Sequence, residues 1–150
     1  MVEEGKPAPD FELKSDSGES VRLSELRGKP VVLYFYPKDD TPGCTKEACA
    51  FRDQYEDFKD AGAEVIGVSS DSEEKHAKFV EKYRLPFTLV ADRGGAVRKK
   101  YGVPATLGLL PGRVTFVIDR DGTVRHVFNS QFQATQHVAE ALQSLRPKTQ

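Results

Sequence analysis

The apolar and polar residues of this 150-residue chain follow two patterns, one typical of strands and one typical of helices. Residues 31–36 are apolar or aromatic at every position, which predicts a central strand covered on both faces. Shorter apolar or alternating segments predict further strands around residues 11–13, 21–23, 64–69, 88–90, 114–118 and 123–128. The last two segments, joined by a turn that contains Gly122, predict a hairpin.

Helices are predicted where apolar residues recur every three or four positions. Thr41 and Pro42 suit the N-cap and first position of a helix whose apolar face carries Cys44, Ala48, Phe51, Tyr55 and Phe58. Residues 70–73 match a capping box that opens a second helix, and further helices are predicted at residues 96–101 and 135–145. Because strands and helices alternate along the chain, we expect an α/β fold with a mixed central sheet, flanking helices and an N-terminal β extension.

The composition is typical of a globular protein. With 38% apolar and 30% charged residues, the length fits a single domain over residues 1–150. Basic residues number 22 and acidic residues 23, so we expect no nucleic-acid partner. The longest apolar run has six residues, whereas a membrane-spanning helix needs about 20, so we expect no membrane partner either. Residues 1–6 resemble neither a secretory signal nor a transit peptide, which suggests a protein that stays where it is made or has lost a targeting segment.

The two cysteines, Cys44 and Cys49, are the first candidates for chemistry. If Thr41 is the N-cap, Cys44 is the third residue of its helix, where unpaired backbone N–H groups and the helix dipole favour an anion. That position favours the thiolate, which is the nucleophilic form of cysteine. The alternative is that Cys44 is only a small apolar residue on the buried helix face.

Cys49 follows Cys44 by five residues on the same predicted helix. In an intact helix their Cα atoms are about 8 to 9 Å apart, beyond the limit of about 7 Å for a disulfide. The two cysteines can therefore bond only if the first turns of the helix unwind, and Pro42 and Gly43 weaken those turns. The alternative is that Cys49 has no role in the chemistry of Cys44.

The loop before Cys44 resembles a known family. Pro37, Thr41 and Cys44 have the spacing of the peroxiredoxin motif, and a second cysteine five residues on resembles the peroxiredoxin Q branch, also called bacterioferritin comigratory protein. Similar stretches occur at residues 7–11, 31–36, 50–53, 65–69 and 110–116. This resemblance, which covers nearly the whole chain, implies a thioredoxin-like fold of the peroxiredoxin type.

The resemblance also implies an atypical two-cysteine thiol peroxidase, an oxidoreductase that reduces hydrogen peroxide and organic hydroperoxides. Cys44 would be the peroxidatic cysteine that becomes a sulfenic acid, and Cys49 the resolving cysteine that forms an intramolecular disulfide with it. Thioredoxin or a similar dithiol protein would reduce that disulfide. The active-site Pro, Thr and Arg of the family correspond to Pro37, Thr41 and Arg113. We expect a monomer without a cofactor.

Each of these three residues has a physical role to play. The Thr41 hydroxyl can orient the thiolate and the peroxide, and the always-charged Arg113 can stabilise negative charge on sulfur and oxygen. Pro37 lacks an N–H and stiffens the loop, which helps to exclude water from the sulfur. Taken without the resemblance, Thr41 is a helix cap and Arg113 a surface charge. Glu47 is expected to be a solvated helix residue outside the site.

Other functions remain open at this point. A dithiol oxidoreductase acting on proteins is disfavoured because the chain has no C-x-x-C motif, and a redox-sensing binding module is a third alternative. The three histidines, His76, His126 and His137, are dispersed and lack metal-ligand spacing, so we expect no metal. Residues 107–113 and 129–132 resemble photosynthetic members of the branch. We therefore expect a bacterial cytoplasm, cyanobacteria included, or a chloroplast after removal of a transit peptide.

Overall fold

The computed structural model describes residues 1–106 and 110–146. The strands are β1 (Glu12–Lys14), β2 (Ser20–Arg22), β3 (Val31–Phe35), β4 (Glu64–Ser69), β5 (Thr88–Ala91), β6 (Ala105–Thr106), β7 (Leu110–Pro111), β8 (Val114–Ile118) and β9 (Val124–Asn129). The helices are α1 (Pro42–Asp53), α2 (Tyr55–Asp60), α3 (Glu73–Tyr83), α4 (Ala96–Tyr101) and α5 (Ala134–Leu145). Part of the 107–113 stretch, residues 107–109, lies outside the described residues.

A five-stranded mixed sheet in the order β5-β4-β3-β8-β9 forms the centre of the molecule. The central strand β3 is parallel to β4 and antiparallel to β8, and all five of its residues are buried. Full burial on both faces explains why this segment is apolar at every position. The predicted α/β fold, with a mixed central sheet and flanking helices, is confirmed.

Two apolar layers cover the sheet, one on each face. On one face, Leu33 and Phe35 of β3 pack with Phe116, with Tyr101 of α4 and with the N-terminal segment around Phe11. On the other face, the apolar sides of α1, α2, α3 and α5 cover the sheet through residues that include Ala48, Phe51, Phe58, Phe79 and Val138. Cys44 belongs to this second layer. The side of the first turn of α1 that carries Cys44 therefore lies against the sheet, whereas Pro42 is exposed.

The N-terminal extension is a short antiparallel hairpin of β1 and β2. Its turn contains Gly18 at φ +87°, a left-handed conformation that glycine adopts without strain. Ser15 at the start of this turn forms a β-bridge with Val90 of β5, which attaches the hairpin to the edge of the central sheet. The predicted extension is thus confirmed. Among the described helices, none is long and apolar enough to cross a membrane.

Two details of the helix prediction are wrong. The predicted helix from Cys44 to Phe58 is two helices, because Gln54 leaves helical geometry at φ −101° and ψ 9°. The capping box at residues 70–73 is also wrong, because the N-cap of α3 is Ser72, whose hydroxyl accepts from the Lys75 amide. Ser69 explains the later start, since its hydroxyl accepts from the Asp71 amide and donates to the Asp71 carboxylate.

Candidate active site

Cys44 lies in the first turn of α1, where the helix-start pattern placed it. Thr41 is the N-cap residue and Pro42 the first helical residue, and the Thr45 amide donates to the Thr41 carbonyl at 2.8 Å. The Cys44 side chain is 1% exposed and free of any disulfide. Its sulfur therefore lies in a dry environment at the positive end of a 12-residue helix.

Arg113 contacts the Cys44 sulfur directly. Its Nη2 donates to Cys44 Sγ at 3.4 Å, and the residue is 4% exposed. The sheet explains how residues so distant in sequence meet: the end of β3 leads to Cys44, and Arg113 directly precedes β8, the antiparallel neighbour of β3. Phe35, the last residue of β3, pairs with Val114, the first residue of β8, so the two segments meet at the same end of these neighbouring strands. The interpretation of Arg113 as a surface charge does not hold for this buried side chain.

Gly43 leaves room for the guanidinium. A Cβ atom added to Gly43 would lie 3.0 Å from Arg113 Nη2, closer than nearly all real contacts of this kind. Arg113 is fixed from the other side as well, because its Nε donates to the Gln131 carbonyl at 3.1 Å and its carbonyl accepts from the Ser130 amide at 3.2 Å. The guanidinium is thus held at one position beside the sulfur.

Glu47 is part of this site, and its expected place in solvent is wrong. It is completely buried, and its Oε1 accepts from Arg113 Nη1 at 2.6 Å. The two terminal nitrogens of Arg113 therefore bridge Cys44 and Glu47, which lie three residues apart on one face of α1. Burial raises the pKa of Glu47 to about 8, although the Arg113 charge opposes this shift. Burial thus favours the protonated carboxyl group, whereas the Arg113 contact favours its charged form.

His137 of α5 and Thr115 of β8 lie behind Glu47. His137 Nδ1 is 3.8 Å from Glu47 Oε2, an oxygen with no hydrogen-bond partner among the described residues. The Thr115 hydroxyl lies 2.8 Å from His137 Nδ1, and His137 Nε2 lies 2.7 Å from the Ser130 carbonyl. Since a carbonyl only accepts, Nε2 carries the proton and Nδ1 accepts from Thr115. Burial lowers the pKa of His137 to about 4, so this ring is neutral.

The loop between β3 and α1 carries Pro37 and Thr41. Pro37 is half-buried and directly follows Tyr36, the last residue of the buried apolar segment 31–36. The Thr41 hydroxyl donates to the Lys38 carbonyl at 2.9 Å and caps no backbone amide of α1. The structure therefore brings Arg113 to Cys44, but it directs the proton of the Thr41 hydroxyl towards its own loop.

A buried polar network anchors the same loop, and sequence reasoning missed it. The Asp39 carboxylate contacts His76 Nδ1 at 2.6 Å and accepts from the Tyr36 hydroxyl. The backbone amide of Asp39 donates to the Asp71 carboxylate at 2.8 Å. His76 is fully buried, and its Nε2 donates to the Val90 carbonyl at 3.0 Å. The potential ligand atoms of Asp39, Asp71 and His76 lie within 4.8 Å of one another, but each residue is engaged by the protein. The network fixes the loop.

Cys49 lies further along α1 on a partly exposed part of the helix, and its thiol is free. The helix is continuous between the two cysteines, so five residues separate them by a rise of about 7.5 Å. A disulfide between them therefore requires a change in the first turns of α1, as the sequence spacing predicts.

Comparisons with known proteins identify the family and confirm the predicted thioredoxin-like fold of the peroxiredoxin type. Residues 4–127 match the AhpC/TSA family. The chloroplastic peroxiredoxin Q of Sedum lineare is 57% identical over 146 residues, covering 97% of this chain and 78% of that protein. The crystal structure of peroxidoxin BcpB from Mycobacterium tuberculosis has a TM-score of 0.89 and 43% identity over 97% of each chain. The bacterioferritin comigratory protein of Xanthomonas campestris, whose structures concern alkyl peroxide reduction, has a TM-score of 0.83 and 32% identity over 90% of this chain and 89% of that one.

Proposed function

This chain belongs to the AhpC/TSA family, and from that premise we propose that Cys44 is its peroxidatic cysteine and Cys49 its resolving cysteine. The protein is a thiol peroxidase, as its peroxiredoxin Q relatives are, and the family implies peroxide substrates and a thioredoxin-type reductant. The observation that carries the assignment of Cys44 is the contact of 3.4 Å between its buried sulfur and Arg113 Nη2.

In the first step, the Cys44 thiolate attacks the terminal oxygen of a peroxide. The S–O bond forms as the O–O bond breaks, and the departing oxygen takes a proton and leaves as water or an alcohol. Arg113 donates to the sulfur before the reaction and lies where it can also donate to the departing oxygen. Cys44 is left as a sulfenic acid.

Thr41 and Pro37 complete the proposed site. Because the only hydroxyl proton of Thr41 is donated to Lys38, its oxygen lone pairs remain available to accept from the O–H of a peroxide. Such a bond would orient the peroxide for attack along the O–O axis. Pro37 has no amide proton to offer solvent and restricts the backbone that leads to Thr41.

In the second step, the Cys49 thiolate attacks the Cys44 sulfenic sulfur. An S–S bond forms, the S–O bond breaks, and hydroxide leaves and takes a proton to become water. The first turns of α1 have to unwind for this, and the Arg113 contact has to break. We propose that the segment that moves is residues 41–43. Asp39 and Asp40, which precede it, are held by hydrogen bonds to side chains of α3.

Finer features of the function are also proposals. Hydrogen peroxide and organic hydroperoxides are both proposed substrates, and the structures of the Xanthomonas protein concern alkyl peroxide reduction. We propose thioredoxin as the reductant, a monomeric state, and one domain over residues 1–150. The Sedum relative is chloroplastic, which supports a chloroplast location, and the bacterial cytoplasm is the second proposed location.

The assignment is tested by NADPH-coupled peroxide consumption with thioredoxin and its reductase. We expect sustained turnover in the natural sequence, none in Cys44→Ser, and a single turnover in Cys49→Ser. Sustained consumption by Cys44→Ser would show that another group reacts with peroxide. Rapid insulin reduction together with negligible peroxide consumption would favour a dithiol oxidoreductase instead.

A further inference from the structure

Arg98 is a second, partly buried arginine close to the candidate active site, and the mechanism above does not use it. It lies on α4, a helix of only six residues, and α4 is fixed at its start by the buried Asp92. The Asp92 carboxylate accepts from the amides of Val97 and Arg98 at 3.0 and 2.9 Å. Helices this short are marginal alone, so these two bonds fix where the Arg98 backbone lies.

The Arg98 guanidinium connects the two chain segments that form the site. Its Nη2 donates to the Tyr36 carbonyl at 2.8 Å, and its Nη1 donates to the Gly112 carbonyl at 3.0 Å. Tyr36 is the last residue before the loop that leads to Cys44, and Gly112 directly precedes Arg113. Because a guanidinium is planar and rigid, these two bonds set the spacing between the two segments.

Packing on both sides restricts this bridge further. The guanidinium carbon lies 5.9 Å from the centre of the Phe35 ring, over one of the buried aromatic residues of β3. Gly112 is equally constrained, because an added Cβ would lie 2.1 Å from the Pro104 carbonyl oxygen. The Gly112 backbone therefore cannot shift freely, and the Tyr36 backbone is held by its own amide, which donates to the Val68 carbonyl at 3.0 Å.

We propose that Arg98 is a positioning residue for the peroxide step: by bridging the carbonyls of Tyr36 and Gly112, it sets the distance between Arg113 and the Cys44 sulfur. This inference rests on the proposed function, in which Cys44 attacks the peroxide. Arg98 itself does not contact the sulfur in the described structure; it acts through the backbone on either side. Burial lowers the pKa of Arg98, and the nearby Asp92 carboxylate opposes this shift.

The substitution Arg98→Lys separates bridging from charge. Lysine keeps the positive charge, but a single ammonium group cannot reproduce the planar fork that reaches both carbonyls. Lys99→Gln, an exposed position on the same helix, serves as the matched control. Both are made in the Cys49→Ser background, so that only the first reaction of Cys44 is followed.

Two rate constants are measured in each variant: oxidation of Cys44 by hydrogen peroxide and its alkylation by iodoacetamide. Both rate constants are divided by the thiolate fraction of Cys44 in the same variant, because displacement of Arg113 also weakens the thiolate. Alkylation needs the thiolate but not an oxygen placed against Arg113. For Arg98→Lys we expect peroxide oxidation to slow about tenfold or more and alkylation to change less than about threefold, since misplacement by about 1 Å has effects of this size. Lys99→Gln should match the parent in both reactions.

Three results would overturn the proposal. The first is a folded Arg98→Lys variant whose peroxide oxidation is unchanged. The second is an Arg98→Lys variant in which oxidation and alkylation slow equally, and the third is a Lys99→Gln variant whose peroxide oxidation slows as much as that of Arg98→Lys. If Arg98→Lys does not fold, Arg98→Gln is used, because its amide can still donate to one carbonyl, and the same selective loss is expected. A failure of the proposed function is distinguishable, because the parent itself would then not be oxidised at Cys44.

Discussion

Two acid–base pairs flank the segment that leads to Cys44, and they have similar geometry but opposite electrostatic settings. Arg113 and Glu47 approach to 2.6 Å with side chains 5% and 0% exposed, whereas Lys82 and Asp40 approach to 2.8 Å with side chains 58% and 45% exposed. Bonds from Lys82 and then from Tyr83 lower the pKa of Asp40, while burial raises the pKa of Glu47 to about 8.

The comparison shows that distance alone does not define an ion pair. In water, Asp40 keeps its negative charge and Lys82 its positive charge, so the pair is neutral overall. In the interior, burial disfavours the Glu47 charge, so Glu47 is a weaker counter-charge to Arg113 than Asp40 is to Lys82. We interpret the buried pair as one that leaves a net positive charge beside the Cys44 sulfur, whereas the exposed pair only tethers a loop.

Replacement of Arg113 should have the largest effect on the chemistry. In Arg113→Met the sulfur and the departing oxygen lose a charged donor, and loss of one such donor costs about 100-fold or more in rate. The measurement is the rate constant for oxidation of Cys44 by hydrogen peroxide, with folding checked by circular dichroism. Oxidation within about threefold of the natural sequence would show that Arg113 does not stabilise the reacting atoms.

Glu47→Gln should change how stability depends on pH. Folding raises the pKa of Glu47 from its ordinary value of 4.5 to about 8, because the carboxyl group is buried. Over this range the folded state binds more protons than the unfolded state, so the free energy of unfolding falls as pH rises. His137 acts oppositely but only between its folded pKa of about 4 and its unfolded value of 6.5. The difference between the natural sequence and Glu47→Gln isolates the effect of Glu47, because other titrating groups contribute to both proteins.

Urea unfolding at several pH values measures this effect. The natural sequence should lose stability relative to Glu47→Gln from pH 6.5 to 8, with a slope of up to about 1.4 kcal/mol per pH unit. Parallel curves for the two proteins over this range would show that Glu47 is already ionised in the folded state. The interpretation of the buried pair as a net positive charge would then be wrong.

Lys82→Ala should have the smallest effect. Both partners of this pair are well exposed, and Tyr83 still donates to Asp40 at 2.8 Å after the lysine is removed. We expect peroxide oxidation of Cys44 within about twofold of the natural sequence at moderate salt, because exposed pairs contribute little. A loss approaching that of Arg113→Met would mean that the exposed pair controls the loop geometry.

The sequence predicts the local features of the site well. The start of α1 at Thr41 and Pro42, and thus the position of Cys44, follow from proline at the first helical position and from the spacing of apolar residues, although the Thr41 hydroxyl makes no capping bond. The burial of Glu47 was also indicated by the sequence, because Glu47 lies three residues after Cys44 and four before Phe51, on the apolar face of the predicted helix. A charged residue on a buried face indicates a buried partner, but no local rule names that partner.

Features that depend on distant segments were not predictable in the same way. The contact of Arg113 with Cys44 follows from the antiparallel pairing of β8 with β3, which joins segments 69 residues apart. The Asp39–His76 contact likewise needs α3 to pack beside the loop, so the dispersed histidines gave no indication of it. Helix breaks are a third case, since the bend at Gln54 leaves the spacing of Phe51 and Phe58 unchanged.

The most direct test of the account is a non-reducing tryptic digest after treatment with one equivalent of hydrogen peroxide. Cleavage after Lys46 separates Cys44 from Cys49, so a disulfide between them appears as two linked peptides. Non-reducing gel electrophoresis of the undigested protein then shows whether the bond lies within one molecule or joins two. We predict that these linked peptides are the main product and that they are absent from Cys49→Ser. Oxidised Cys44 with Cys49 still free to alkylate, or a disulfide that joins two molecules, would contradict the assignment of Cys49 and the unwinding of α1.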